Sequence, residues 1–102
     1  MNDQSKIWMD GNYVDWDNAK IHILTHGLHY ATAVFEGIRC YSTKKGPAIF
    51  RLEEHIKRLV NSCKMYHMTL DYTDKEFREA IIGIIKINKV EDCYIRPICY
   101  YG

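Results

Sequence analysis

Two short runs of this chain set arginine among aromatic residues, a pattern that can bind an anion. In HYATAVFEGIRCY, residues 29–41, strand alternation places Val34, Glu36, Ile38 and Cys40 on one face. Phe35, Gly37, Arg39 and Tyr41 fall on the other, so that face reads aromatic, gap, cation, aromatic. In YIRPICYY, residues 94–101, Tyr94, Arg96, Ile98 and Tyr100 share a face by the same rule. A guanidinium grips carboxylate or phosphate through two parallel hydrogen bonds, which lysine does not do. Gly37, between Phe35 and Arg39, leaves room for a ligand to approach the backbone. The same pattern also describes two surface arginines whose stems rest on tyrosines.

Other chemistries find weaker footing. His22, His26 and His29 would share a face if their segment were one helix, as metal ligands often do. The stretch IHIL, however, is extended in character, and no cysteine or carboxylate completes a ligand set. Structural histidines are the expectation, and no metal site is assigned. Ser5, Ser42 and Ser62 lack the strand-turn-helix elbow of a nucleophilic serine. Glu53 and Glu54 stand at a helix start, where the macrodipole alone accounts for them. The 6 glycines form no phosphate-cradling loop.

The elements that must carry these residues fit one domain. The chain has 102 residues, the size of a single core. A chain this short buries roughly 60–65% of its unfolded surface. It carries 14 Lys and Arg against 13 Asp and Glu, a net charge of +1 with no basic stripe, which disfavours nucleic acid and anionic membranes. The polar start, MNDQSKIWMDGNYV, reads as neither a secretion signal nor a membrane span. Cys40, Cys63, Cys93 and Cys99 lie inside apolar patterns with no C-x-x-C pair, as small buried hydrophobes of a reducing, cytoplasmic compartment.

Residues 7–24 predict a hairpin turning at Asp10-Gly11-Asn12. Residues 25–35 predict a short helical turn leading into a strand. Residues 34–41 and 47–51 predict a second hairpin around Lys44–Gly46. Leu52, Ile56, Leu59, Cys63 and Tyr66 recur at helical spacing. A second helix starts at Thr73, which with Glu76 makes a capping box, buries Phe77, Ile81, Ile84 and Ile85, and ends at Asn88. Pro97 lacks an N–H, so the final strand lies at an edge or a bulge. Strands, two helices, then a strand predict an α+β fold: a two-layer sandwich, its sheet largely antiparallel, with two helices on one face.

HGLHYATAVFEGIRCY, FRLEEHIKRL and YIRPICYYG, with the lead-in IWMDGNYVDWDNAKIHIL, resemble the amino-terminal domain of branched-chain amino acid aminotransferases. These are pyridoxal-phosphate enzymes of the fold type that includes D-amino acid aminotransferases, fold type IV. The combination of FEGIR, then H-x-x-R-L, then Y-I-R-P, in that order and spacing, carries the resemblance over essentially the whole chain. It implies that Arg58, in HIKRL, binds the cofactor phosphate. It implies that Tyr30, Phe35 and Gly37 shape the pocket for a branched side chain. Tyr94 and Arg96 would meet substrate carboxylates, the arginine taking the distal carboxylate of glutamate, and Arg39 would anchor neighbouring groups. The Asp-Gly pair that D-amino acid aminotransferases and aminodeoxychorismate lyases carry before this strand is absent from YATAVFEGIRCY, which favours the branched-chain branch.

The resemblance also implies what lies elsewhere. The Schiff-base lysine and the acid facing the pyridine nitrogen come from a second domain, so residues 1–102 are expected to be the small first domain and inactive alone. The parent would move an amino group between leucine, isoleucine or valine and 2-oxoglutarate, as a homodimer or higher oligomer. The competing reading is a non-catalytic α+β module that binds an anion or a partner chain through its arginine–tyrosine face.

Overall fold

The computed structural model describes residues 4–102, so the first three residues of the polar lead-in lie outside it. β1 (Lys6–Met9) and β2 (Asn12–Asp15) pair antiparallel, with Met9 opposite Asn12. Asp10 and Gly11 form the two-residue turn with φ of 50° and 92°, the doubly positive pattern that Asp-Gly accommodates. After a single 3-10 turn (Trp16–Asn18), α1 (His26–Tyr30) is the expected short helical turn, and it ends at Ala31 in the left-handed region.

β3 (Ala33–Phe35) leads into β4 (Ile38–Thr43), which turns back as β5 (Gly46–Ile49), the second expected hairpin. α2 (Leu52–Met65) and α3 (Asp74–Asn88) follow. The capping box of α3 is present in both directions: Glu76 N–H donates to Thr73 Oγ1 at 3.2 Å and Thr73 N–H to Glu76 Oε1 at 3.0 Å. Asn88 ends α3 and also clips it to β1, exchanging bonds of 2.6 and 2.9 Å with the backbone of Lys6. β6 (Cys93–Ile95) and β7 (Ile98–Tyr100) complete the chain. Among the described residues no helix is long and apolar enough to cross a membrane.

Among the described residues every strand pairing is antiparallel, as expected, but the pairings divide into three ladders: β1-β2, β3-β7 and β5-β4-β6. The division has a local cause. The register is the same on both sides of the break, with Phe35 opposite Ile98 and Ile38 opposite Ile95, so Glu36-Gly37 faces Arg96-Pro97. Pro97 has no N–H to give, and the ladder lapses there. One link survives, from Glu36 N–H to the Pro97 carbonyl at 3.1 Å.

The helices cover one side of these strands. Val34 packs with Leu59, Cys63 and Met68, while Ile38 packs with Ile56, Phe77 and Ile81. Ile56, Leu59 and Cys63 are fully buried, as the helical spacing predicts. Tyr66 departs from that expectation. It is 55% exposed because α2 stops at Met65 and the chain turns away through His67 at φ 57°.

Candidate functional site

Alternation along residues 34–41 survives the break between β3 and β4. Val34, Glu36, Ile38 and Cys40 are buried, whereas Phe35, Arg39 and Tyr41 are exposed. Arg39 stands opposite Tyr94 in the β4–β6 pairing, with its guanidinium carbon 5.9 Å from the ring centroid. Arg96 lies over the Phe35 ring at 4.4 Å and over the Tyr94 ring at 5.4 Å, and its Nη2 donates to the Tyr94 hydroxyl at 3.1 Å. These are the distances of cation–π contacts, and stacking of this kind holds a long side chain flat without consuming its outer donors. The structure thus brings Phe35, Gly37, Arg39, Tyr94 and Arg96 together on one exposed face.

Gly37 is the residue that lets this face close. A Cβ at position 37 would overlap the hydroxyl of Tyr94 and come within 2.8 Å of Cζ. Gly37 does leave space beside the backbone, but the end of the Tyr94 phenol takes it rather than leaving it open to a ligand as the sequence suggested. Tyr30 stands apart from the cluster: it is 72% exposed on α1, stacked on His26 at 4.6 Å. The other histidines of that region have local partners, His29 Nε2 at 2.7 Å from the Ile23 carbonyl and His22 Nδ1 accepting from Leu24 N–H at 3.0 Å.

Arg58 meets the strand from its other face. It projects from α2 and donates from Nε to both Glu36 oxygens, at 3.0 and 2.9 Å, and from Nη2 to Oε1 at 2.7 Å. Glu36 is 6% exposed and also receives His55 Nδ1–H at 2.8 Å. The Arg58 hydrogen bonds hold the Glu36 carboxyl below its ordinary value, against the upward push of burial, with His55 helping. The same contact raises Arg58. Burial pushes the Cys40 and Cys63 thiols up, and Cys99 to about 12, so these cysteines are not poised as nucleophiles.

Glu36 and His55 are the residues that sequence reasoning did not assign to the site. The signal was present: a carboxylate on the apolar face of a strand requires a buried partner. His55 and Arg58, one turn apart on a helix, lie close enough to serve one partner.

The ion pair has a pH signature. A carboxyl whose folded value is depressed stabilises the fold above its ordinary value of 4.5 and loses that contribution as pH falls through the lowered one. Urea midpoints are therefore expected to fall steeply below pH 4.5 in the wild type and more gently in Glu36→Gln. Parallel pH profiles would refute the linkage.

Residues 33–102 match the amino-transferase class IV family. The branched-chain-amino-acid aminotransferase of Escherichia coli (strain K12) is 45% identical over 96 residues, 94% of this chain and 31% of that protein. That of Pseudomonas aeruginosa is 46% identical over the same extent. Among solved structures, the T.th. branched-chain amino acid aminotransferase complexed with N-(5'-phosphopyridoxyl)-L-glutamate superposes with a TM-score of 0.95 at 48% identity. That match covers 97% of this chain and 33% of the other. The chain thus spans about a third of the length of the relatives it matches. With its antiparallel α+β architecture and its paired strand arginines, it belongs to the class IV amino-transferases, beside the branched-chain enzymes.

Proposed function

We propose that this chain is the amino-terminal domain of a cytoplasmic, pyridoxal-phosphate-dependent branched-chain amino acid transaminase, working on leucine, isoleucine or valine with 2-oxoglutarate. The observation that carries the reading is the arrangement of three guanidinium groups about one strand joint. Arg39 and Arg96 lie on the exposed face over aromatic rings, and Arg58 lies on the opposite side, gripped by Glu36.

The residues present fit the cofactor's anionic end. Arg58 retains N–H donors that Glu36 does not use, on a side chain 68% exposed, which suits a phosphate monoester. Pyridoxal phosphate, when bound, supplies the electron sink that labilises the bond to the substrate α-proton. Phe35 gives an apolar wall for a branched side chain, and Tyr30, apart from it on α1, adds a second contact to that side chain. Arg96, with Tyr94 beside it, receives a carboxylate, and for glutamate the distal one. Arg39 holds the Tyr94 side of that face. The lysine that handles the proton is contributed by a second domain, and the working enzyme is a homodimer or higher oligomer.

The test is ligand discrimination by residues 1–102. Pyridoxamine 5'-phosphate is expected to bind at least about tenfold more tightly than pyridoxamine, because a charge-assisted fork forms only with the phosphate. Turnover of leucine with 2-oxoglutarate by the same chain is expected not to exceed the free-cofactor rate. Equal affinities, or turnover by the chain alone, would sink the proposal.

A further inference from the structure

We infer that Glu36 and His55 are positioning residues that hold Arg58 by one edge so that its other edge is presented to a phosphate monoester. This deepens the reading of Arg58 as the phosphate ligand and rests on it. A guanidinium has five N–H donors arranged along two usable edges. Glu36 occupies the Nε/Nη2 edge, taking Nε–H and one Nη2–H. Both Nη1 hydrogens and the second Nη2 hydrogen stay uncommitted among the described residues, and that Nη2–H with the neighbouring Nη1–H forms the end-on fork. The Arg58 side chain is 68% exposed, so that fork is accessible, while its partner Glu36 is 6% exposed.

Glu36 itself is fixed at both ends. Its main chain is tied by Glu36 N–H to the Pro97 carbonyl at 3.1 Å. Its Oε1 receives three donors, two from Arg58 and one from His55 Nδ1. A carboxylate only accepts, so His55 carries its proton on Nδ1. The charges of Glu36 and Arg58 cancel, so the pair attracts a dianion through directed N–H groups rather than through net charge. The aim of the guanidinium then decides affinity, and the groups that set the aim become part of the phosphate site. Glu36 does not compete with the ligand, because it takes the edge that an end-on phosphate leaves alone.

The experiment is a titration of the isotopically labelled chain with inorganic phosphate, against chloride, read at the Arg58 Nε–H signal and the His55 ring nitrogens. Melting temperatures are recorded for each variant. Wild type is expected to show the Nδ1–H tautomer of His55 and a phosphate-dependent shift of Arg58. Glu36→Gln is expected to weaken phosphate about tenfold and His55→Ala about threefold, the loss of one charge-assisted and one outer hydrogen bond. His55→Asn, whose amide N–H falls near the place of Nδ1–H, is expected to restore affinity to within about twofold of wild type. Should Glu36→Gln fail to fold, the alanine and asparagine variants at position 55 carry the test, because a bystander histidine would show no rescue of phosphate affinity. Unchanged or tighter phosphate binding in Glu36→Gln or His55→Ala overturns the positioning role while leaving Arg58 as the ligand. No response of Arg58 to phosphate in the wild type overturns both.

Discussion

In the complete transaminase proposed for this domain, Arg58→Ala is expected to lower the affinity for pyridoxal phosphate about 100-fold, whereas Arg96→Ala leaves it nearly unchanged. The size follows from losing a bidentate, charge-assisted contact, each bond of which is about twice as strong as a neutral one. The separation follows from placement: Arg58 is held by Glu36 behind the strand joint, while Arg96 lies over Phe35 and Tyr94 in front of it. Arg96→Ala is instead expected to raise KM for glutamate about tenfold or more over any change for leucine, because only glutamate brings a second carboxylate. Cofactor dissociation measured by absorbance and KM measured for both amino acids decide the matter. Loss of cofactor from Arg96→Ala, or equal KM changes for the two substrates, would refute the division of labour.

A second large effect concerns the packing beneath the site. Leu59→Ala is expected to destabilise the fold by about 3 kcal/mol, since a fully enclosed leucine leaves a cavity that its neighbours refill only in part. Leu59 is 1% exposed and packs with Val34, Cys63 and Met68. A domain of this size has roughly 5–15 kcal/mol of net stability, so the change removes a large share of it. The melting temperature is expected to fall by roughly 10–20 °C, as scanning calorimetry would report. A fall of only a degree or two would mean that the β3–α2 contact is not part of the cooperative core. Leu59 also adjoins Arg58 in the chain, so phosphate affinity is expected to decline with it even where the variant remains folded.

The features legible in the sequence were those set by short-range rules. Asp10-Gly11 announced a turn because few pairs tolerate two positive φ values. Thr73 and Glu76 announced the start of α3 because their side chains satisfy orphan N–H groups three residues apart. The exposed face of Phe35, Gly37 and Arg39 followed from the period of two along a strand. The features that escaped depend on distant partners. Nothing local to Glu36 says that the cation beside it is Arg58, 22 positions away. Tyr66 fitted the apolar spacing of α2, but the helix ends one residue earlier. The interruption at Pro97 was foreseen. That it aligns with Glu36-Gly37, and so separates the ladders, required the register.

The distance along the chain between the two halves of the exposed face has a consequence in time. Gly37 and Arg96 stand opposite one another, yet both long helices are synthesised between them. At a translation rate of about 5–20 residues per second, the β3–β4 side waits roughly 3–12 s for its partner strands. During that wait Phe35 and the β4 edge facing β6 lack their cover, and such an edge is a template for foreign strands. The helices close over short range, whereas the β6–β7 return to β4 and β3 closes last, so these pairings carry a large part of the contact-order penalty. Slow, late closure makes the nascent chain, more than the finished domain, the stage at which aggregation is decided.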